Sequence, residues 1–242
     1  MTRADQFLVE NGHAQSRSEA QAAIRAGRVK VDGEVLEKPS RSIAEGATVE
    51  YEKPHPYVSR GGVKLAAALD HFGLSPEGRV CLDIGASTGG FSEVLLNGGA
   101  GKVYAVDVGH GQMHARLRRD PRLILRDGVN ARDLASAQMP ERPEAVTADV
   151  SFIGLKLALP PALDLALSGA WLVALVKPQF EVGRIKVGKG GVVKDREAQL
   201  AALADIKAFI AAQSRWNVTG HIESPILGGE GNREFLVAAH KA

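Results

Sequence analysis

The chain has 242 residues, of which 45% are hydrophobic, so it can bury a core in one domain or in two unequal ones. Its formal charge of +2 neither indicates nor excludes a nucleic-acid partner. A single cysteine, Cys81, excludes an internal disulfide framework and fits a reducing compartment. The N-terminal residues are charged and lead into no apolar stretch, and the longest apolar run, Ala170 to Val176, is too short to cross a bilayer. We therefore expect a cytoplasmic protein without a membrane span.

Residues 1–52 predict a small α+β module. A helix begins at Ala4, and the capping box Ser16-Arg17-Ser18-Glu19 begins a second helix. A hairpin around Asp32-Gly33 and a closing strand, Thr48 to Tyr51, follow. Residues 53–62 begin with two prolines, each of which fixes its own φ and disfavours helix at the preceding residue. The pattern predicts a connector or hinge over 53–62 and a larger domain over 63–242.

A glycine-rich loop follows the apolar strand Val80 to Ile84. Its glycines are spaced as G-x-x-x-G from Gly85 to Gly89, whereas a dinucleotide-binding loop reads G-x-G-x-x-G. This spacing favours a ligand without a pyrophosphate, such as S-adenosylmethionine (SAM). Asp107 ends the next strand, where a carboxylate can accept the hydroxyls of a ribose, although by itself it fits a turn cap equally well. Loop and acid together predict an adenosine-type cofactor.

The predicted cofactor contacts are all in loops that follow strands. Asp127 and Asn130 come after the third strand, where an adenine-binding side chain would lie, but both residues also fit ordinary turn chemistry. The complete set is Asp83, Gly85, Ser87, Gly89, Gly90, Phe91, Asp107, Asp127 and Asn130.

Strands and helices alternate through the larger domain. The predicted strands include Ala145 to Asp149, Ala170 to Lys177 and Phe235 to Ala239, and a long helix runs from about Arg196 to Gln213. Alternating elements with apolar strands predict an α/β fold with a mostly parallel, doubly wound sheet. Ligands of such sheets bind at the carboxyl ends of the strands, and Asp149 and Lys177 lie there.

The N-terminal module resembles an S4 domain, a small RNA-binding module. The resemblance rests on Arg3-Ala4-Asp5-Gln6-Phe7-Leu8, on the capped second helix and on Ile24 to Gly33. It implies that the second helix and the hairpin bind folded RNA, and cations there would bind phosphates. Residues 1–60 hold nine basic and nine acidic residues, so a merely solvated helix face is the alternative. The RNA-binding residues are predicted to be Arg3, Arg17, Gln21, Arg25, Arg28, Lys30 and Arg60.

The whole chain resembles the TlyA (hemolysin A) family, which joins an S4 domain to an FtsJ-like methyltransferase. The motifs that carry the resemblance are Ser59 to Leu65, Leu82 to Phe91, Ala148 to Ile153, Val176 to Glu181 and Gly231 to Phe235. The resemblance implies SAM-dependent 2′-O-methylation of a ribose in ribosomal RNA, with a cytidine as the expected target and ribosomal subunits as partners. It also implies a Lys-Asp-Lys-Glu tetrad at Lys64, Asp149, Lys177 and Glu234.

Other interpretations are weaker. His110 and His114 are four residues apart, but no third ligand is near them, so we expect no metal site. The basic, glycine-rich residues 180–191 fit either a lid that grips RNA phosphates or a plain linker. A non-enzymatic RNA-binding or ribosome-assembly factor would not need the tetrad, and an NAD-linked oxidoreductase has a different glycine spacing. No segment is long or amphipathic enough to form a membrane-lysing pore.

Overall fold

The helices and strands form two groups, and the boundary between the groups lies in the predicted connector. The computed structural model describes residues 2–14, 16–53, 55–183, 187–228 and 231–242, and it separates two compact units, Met1–Pro56 and Tyr57–Ala242. Pro54 of the predicted connector and residues 184–186 of the predicted lid lie outside the described residues. Among the described residues, no helix is both long enough and apolar enough to cross a membrane.

The first unit packs two short helices against small sheets. Ser16 Oγ accepts the backbone N–H of Glu19 at 3.2 Å, which confirms the predicted cap of the second helix. Leu8, Ile24 and Leu36 are buried in the core of the unit. Its elements are β1 (Thr2–Arg3), α1 (Ala4–Glu10), α2 (Arg17–Arg25), β2 (Val29–Val31), β3 (Glu34–Val35), β4 (Ser42–Ile43) and β5 (Val49–Tyr51). The hairpin and the closing strand form a sheet of order β3-β2-β5, and β1 pairs with β4.

The second unit is an α/β sheet domain. Its elements are α3 (Arg60–Phe72), β6 (Val80–Ile84), α4 (Gly90–Asn97), β7 (Lys102–Asp107), α5 (Ala115–Arg118), β8 (Leu123–Asp127), β9 (Ala145–Ala148), α6 (Leu155–Ala158), α7 (Pro160–Leu165), β10 (Trp171–Val176), α8 (Pro178–Glu181), α9 (Arg196–Ala211), β11 (Trp216–Glu223) and β12 (Phe235–Lys241). Within the described residues the sheet has seven strands in the order β11-β12-β10-β9-β6-β7-β8. Strands β6 to β10 run parallel, and β12 is antiparallel to both of its neighbours. The predicted mostly parallel α/β architecture is confirmed.

Burial follows the position of each strand in the sheet. All six residues of β10 are buried, as expected for a central strand covered on both faces, whereas β11 at the edge alternates between buried or half-buried and exposed residues. Apolar clusters lie on both sides of the sheet. The strand ends are therefore held by a rigid, close-packed core.

The predicted connector is partly helical. Helix α3 begins at Arg60, so the last three residues of the segment 53–62 belong to a helix. Two glycines at this point indicated a flexible segment, but a Cβ on Gly62 would overlap the ring of Tyr57. Gly62 is needed there because the aromatic ring packs directly on the helix backbone.

Candidate active site

The carboxyl ends of the parallel strands meet at one edge of the sheet. Gly85 follows β6, Asp149 follows β9 and Lys177 follows β10. Strand β12 is antiparallel, and its register pairs Phe235 with Val176. Glu234, just before β12, therefore reaches the same edge as Lys177. The strand order thus brings residues from distant parts of the chain together.

Two lysine–carboxylate pairs line a cavity of about 560 Å³ at this edge. Lys64, on the first turns of α3, forms an ion pair with Glu234, and both side chains are more than 90% buried. Lys177 Nζ lies 2.6 Å from Asp149 Oδ1 and donates to Ser151 Oγ at 2.8 Å. All four residues of the predicted tetrad line this cavity. The arrangement places two ammonium groups and two carboxylates around one space.

The glycine loop passes directly over the end of β9. Gly85 has a φ of +79°, and a Cβ there would lie 2.6 Å from the carbonyl oxygen of Asp149. Only a residue without a side chain allows this approach without strain and overlap. Gly90 and Phe91, at the beginning of α4, line the cavity together with Gly85 and Ser87. The backbone of the loop is thereby exposed to whatever occupies the cavity.

A second cavity of about 460 Å³ adjoins the first, because Gly85, Ser87 and Asp149 line both. Asp107 faces it, and its two carboxylate oxygens accept the backbone N–H groups of Ser87 at 2.8 Å and Gly109 at 2.7 Å. Each carboxylate oxygen retains a free lone pair for a further donor. The walls also include apolar side chains, namely Ile84, Val106, Val108, Val129 and Ile153.

Three predicted cofactor residues do not line either cavity. Asp83 is fully buried under the loop, Gly89 packs against Met113 and Leu117, and Asp127 accepts the N–H of Gly111 at 2.9 Å. These three residues therefore stabilise the loops without lining the cavities. Asn130, by contrast, lines the second cavity.

Asp83 is held by two hydroxyl donors. Ser92 Oγ donates to it at 2.6 Å and Thr147 Oγ1 at 2.9 Å. Burial raises the pKa of Asp83 to about 7, although both hydrogen bonds favour the charged form. This carboxylate joins β6, β9 and α4 and lines neither cavity.

Several cavity residues were not predicted from the sequence. Ser151 contacts Lys177, while Phe152 has a φ of +66° and is 94% exposed at the cavity wall beside Phe180. Gln179 and Asn232 also line the cavity. Each of them lies within one of the motifs quoted above, but no spacing rule indicates which motif residues face inward.

The first unit holds several predicted RNA-binding residues around one buried acid. Asp5 is fully buried and accepts hydrogen bonds from Arg3 at 3.1 Å, from Arg17 at 2.9 Å and from Gln21 at 2.8 Å. The side chains of both arginines remain about half exposed. The arginines hold the pKa of the Asp5 carboxyl well below its usual range. Asp5 thus fixes three donors from two elements, β1 and α2, on one surface.

Other predicted RNA-binding cations are paired. Arg28 contacts Glu52 at 2.6 Å and Lys30 contacts Glu50 at 3.3 Å, and both pairs are exposed. Arg25 is exposed, whereas Arg60 belongs to the second unit and lines the first cavity. Two of the predicted RNA-binding cations are therefore partly neutralised by acidic partners.

The two histidines have structural contacts. His114 Nδ1 accepts the N–H of Arg116 and caps α5, while the His110 ring packs over Gly128. Among the described residues no group of three or more His, Cys, Asp or Glu side chains is placed to hold a metal ion.

Comparison with known proteins agrees with this architecture. The family description of FtsJ-like methyltransferases matches residues 57–241, and that of the S4 domain matches residues 2–49. The chain belongs to the TlyA family of FtsJ-like methyltransferases. It is 43% identical over 237 residues to the 16S/23S rRNA (cytidine-2′-O)-methyltransferase TlyA of Mycobacterium tuberculosis, covering 97% of this chain and 88% of that protein.

Further TlyA-family relatives cover nearly the whole chain. Hemolysin A of Brachyspira hyodysenteriae is 39% identical, with 97% of this chain and 98% of the relative covered. The solved structure named "Putative hemolysin from Streptococcus thermophilus" is 40% identical, has a TM-score of 0.79 and covers 100% of this chain and 88% of its own. Family membership therefore extends over both units.

Replacing Gly85 by alanine tests the contact between the glycine loop and β9. We expect Gly85→Ala to lower the free energy of unfolding by about 1–3 kcal/mol more than Gly169→Ala, as measured by urea denaturation. Gly169 is the matched control because its φ is +82° with open space around the position. Equal losses for the two variants would mean that only backbone strain matters at Gly85.

Replacing Asp83 by asparagine tests the buried carboxyl. Its pKa is higher in the folded state than in the unfolded state, so the native protein binds one more proton between about pH 4 and pH 7. Stability from this group is therefore lost as the pH rises through that window, by up to about 4 kcal/mol. Asp83→Asn should remove this pH dependence from urea unfolding measured between pH 5 and pH 8. An unchanged pH profile would show that Asp83 is ionised throughout.

Proposed function

We propose that this protein methylates the 2′-hydroxyl of a ribose, in a cytidine of ribosomal RNA, with SAM as the methyl donor. The observation that carries the proposal is the pair of lysine–carboxylate contacts around one cavity, directly beside the glycine loop. The name of the TlyA relative from M. tuberculosis supports the same substrate. Such a protein acts in the cytoplasm, where ribosomal RNA is made.

The chemistry of the second cavity fits SAM. Asp107 offers carboxylate oxygens to ribose hydroxyls, the apolar walls suit an adenine ring, and Asn130 is placed at the wall for a polar contact. Gly85 lets backbone approach the ligand where the two cavities meet. We assign Gly85, Ser87, Asp107 and Asn130 to this cofactor, with Gly90 and Phe91 on the side of the tetrad. When bound, SAM supplies a methyl group on a positively charged sulfur.

Lys177 and Asp149 are proposed to handle the proton of the ribose hydroxyl. A neutral hydroxyl is a poor nucleophile, so its proton must leave as the new O–C bond forms. In the proposed path, the Lys177 ammonium first turns an N–H toward Asp149 Oδ1, which lies 2.6 Å away and accepts no hydrogen bond among the described residues. It transfers that proton to Asp149, and the resulting amine takes the hydroxyl proton. Ser151 holds Lys177 from a second direction. After the step, Asp149 carries the proton from Lys177 and Lys177 carries the proton from the hydroxyl. No proton is exchanged with solvent.

Lys64 is proposed to stabilise negative charge on the attacking oxygen. Its ammonium has three N–H donors, one of which is directed to Glu234. The remaining donors can face the cavity, where burial strengthens their interaction with a developing oxyanion. Glu234 fixes the position of Lys64 and balances its charge in a site that water barely reaches.

The first unit is proposed to hold the RNA. Its S4 domain presents Arg3, Arg17 and Gln21 in a geometry set by Asp5. Cations in fixed positions contact phosphates and so set the register of a folded RNA without reading its sequence. Arg25, Arg28 and Lys30 add to this surface, and Arg60 is proposed to meet RNA at the catalytic cavity.

The decisive experiment is transfer of a radiolabelled methyl group from SAM to purified, unmethylated 30S and 50S subunits. We expect Lys177→Ala to lower the rate by about 10²–10⁴-fold while SAM binding, measured by calorimetry, persists. Lys156→Ala is the matched control, because Lys156 is exposed and paired with Asp205 outside the cavity. No label with the wild-type protein, together with tight ribosome binding, would favour a non-enzymatic binding factor. Normal turnover by Lys177→Ala would exclude Lys177 as the base.

Replacing Asp5 by asparagine tests the geometry of the RNA-binding surface. We expect Asp5→Asn to weaken binding to ribosomal RNA by about tenfold, because its arginines lose a charged anchor. Glu50→Gln removes the same charge beside Lys30 at an exposed site and should not weaken binding. Filter-binding titrations at several salt concentrations measure both. Tighter binding of both variants would mean that net charge alone sets the affinity.

A further inference from the structure

Two residues of the first cavity have a buried side-chain oxygen without a hydrogen bond among the described residues, Asp149 and Gln179, and only that of Asp149 is in an ion pair. The side-chain oxygen of Gln179, Oε1, is buried and accepts no hydrogen bond within the described part of the chain. Gln179 lies on α8 and lines the cavity that holds the lysine–carboxylate pairs. A buried amide oxygen without a donor is costly, so a donor from water or from a bound molecule is expected there.

A neighbouring amide in the same cavity shows the contrast. Asn232 Oδ1 accepts the N–H of Val193 at 2.9 Å, and its Nδ2 donates to the carbonyl of Gly191 at 2.9 Å. Both ends of that amide are therefore used to fix the protein backbone. The oxygen of Gln179 has no such contact within the described residues, so its capacity to accept a hydrogen bond is unused there.

The position of Gln179 selects the part of the substrate that it meets. It lies two residues after Lys177, which under the proposed function faces the ribose 2′-hydroxyl. The base is attached to the ribose carbon next to the one that carries this hydroxyl, so the base lies within a few bonds of the reacting oxygen. Phe180 follows Gln179, and with the exposed Phe152 it adds an aromatic wall, the rings being 5.4 Å apart. Gln179 thus lies where a base would enter.

Cytosine and uracil differ at one position, and a hydrogen-bond acceptor of the protein can distinguish the two bases there. Cytosine carries an amino donor at N4, whereas uracil carries an acceptor, O4, at the same position. A buried acceptor binds the amino group and repels the carbonyl, so it discriminates strongly between them. We propose that Gln179 is a specificity residue whose Oε1 accepts the exocyclic amino group of the target cytosine. This inference rests on the proposed function and names the group that selects the base.

The test compares three versions of an RNA that carries the mapped target site. At the target position, these RNAs carry cytidine, uridine or the pyrimidin-2-one ribonucleoside. The last of these lacks the 4-amino group and has no carbonyl in its place. We expect wild-type kcat/KM to fall by about 10–100-fold when the amino group is absent, because the buried oxygen is then left without a donor. In Gln179→Met, which has similar size but no amide oxygen, the three rates should become nearly equal. Gln179→Glu keeps an acceptor and should retain the preference for cytidine.

Gln199→Met is the matched control. Gln199 is also buried, but its amide donates to the carbonyl of Val193 and it does not line the cavity. Its replacement should change stability and leave the ratio of rates on the three RNAs unchanged. The ratio separates base recognition from a general effect on folding, and calorimetry with SAM separates it from cofactor binding.

The outcomes are distinct. Loss of discrimination in Gln179→Met, with SAM binding intact and discrimination kept in Gln179→Glu, supports the proposal. Equal slowing on all three RNAs, or loss of SAM binding, would assign Gln179 to packing or to the cofactor and overturn it. A wild-type protein that methylates none of the RNAs overturns the proposed function itself, whereas active wild type with an unchanged ratio in Gln179→Met overturns this inference alone.

Discussion

The buried ion pair between Lys64 and Glu234 joins the helix after the connector to the strand inserted between β10 and β11. Removing one partner of such a pair typically costs 3–5 kcal/mol, because the other charge remains buried. Replacing both partners by well-packed apolar residues is often neutral or stabilising. Stability therefore does not account for the pair. Its position on a cavity beside a second lysine–carboxylate contact gives it a chemical use, and the proposed methyl transfer supplies one.

Two aspartates of neighbouring strands illustrate how the same residue type takes different roles. Asp83 lies within β6 and points into the protein, where two hydroxyls hold it. Asp149 lies one residue beyond β9, where the strand has ended and the side chain can face the cavity. In the register of the sheet Asp83 lies opposite Thr147, two positions before Asp149, so the end of the strand separates a buried carboxyl from one that meets the lysine.

The sequence predicted which strand-end residues lie at the same edge of the sheet, but not the direction of every side chain. Apolar runs ending in Asp107, Asp149 and Lys177 predicted which residues meet at one edge, because parallel strands align their carboxyl ends. Asp83 was predicted to contact the cofactor, but it is buried within β6. An acidic residue at the end of a strand and one inside a strand look alike in sequence. The pairing of the predicted RNA-binding residue Arg28 with Glu52 could not be predicted, because the two residues are distant in sequence. A local sequence pattern does not show which distant residues will contact each other in the fold.

The sequence separation of Lys64 and Glu234, 170 residues, bears on the order in which the site forms during folding. Contacts between distant residues require closing a long loop, so they form late compared with local ones. The glycine loop, Asp107 and the end of β9 all lie between residues 84 and 149 and can associate without β12. A partly folded copy would thus form much of the second cavity before the ion pair between Lys64 and Glu234. Under the proposed function, such a copy could bind the methyl donor without acting on RNA.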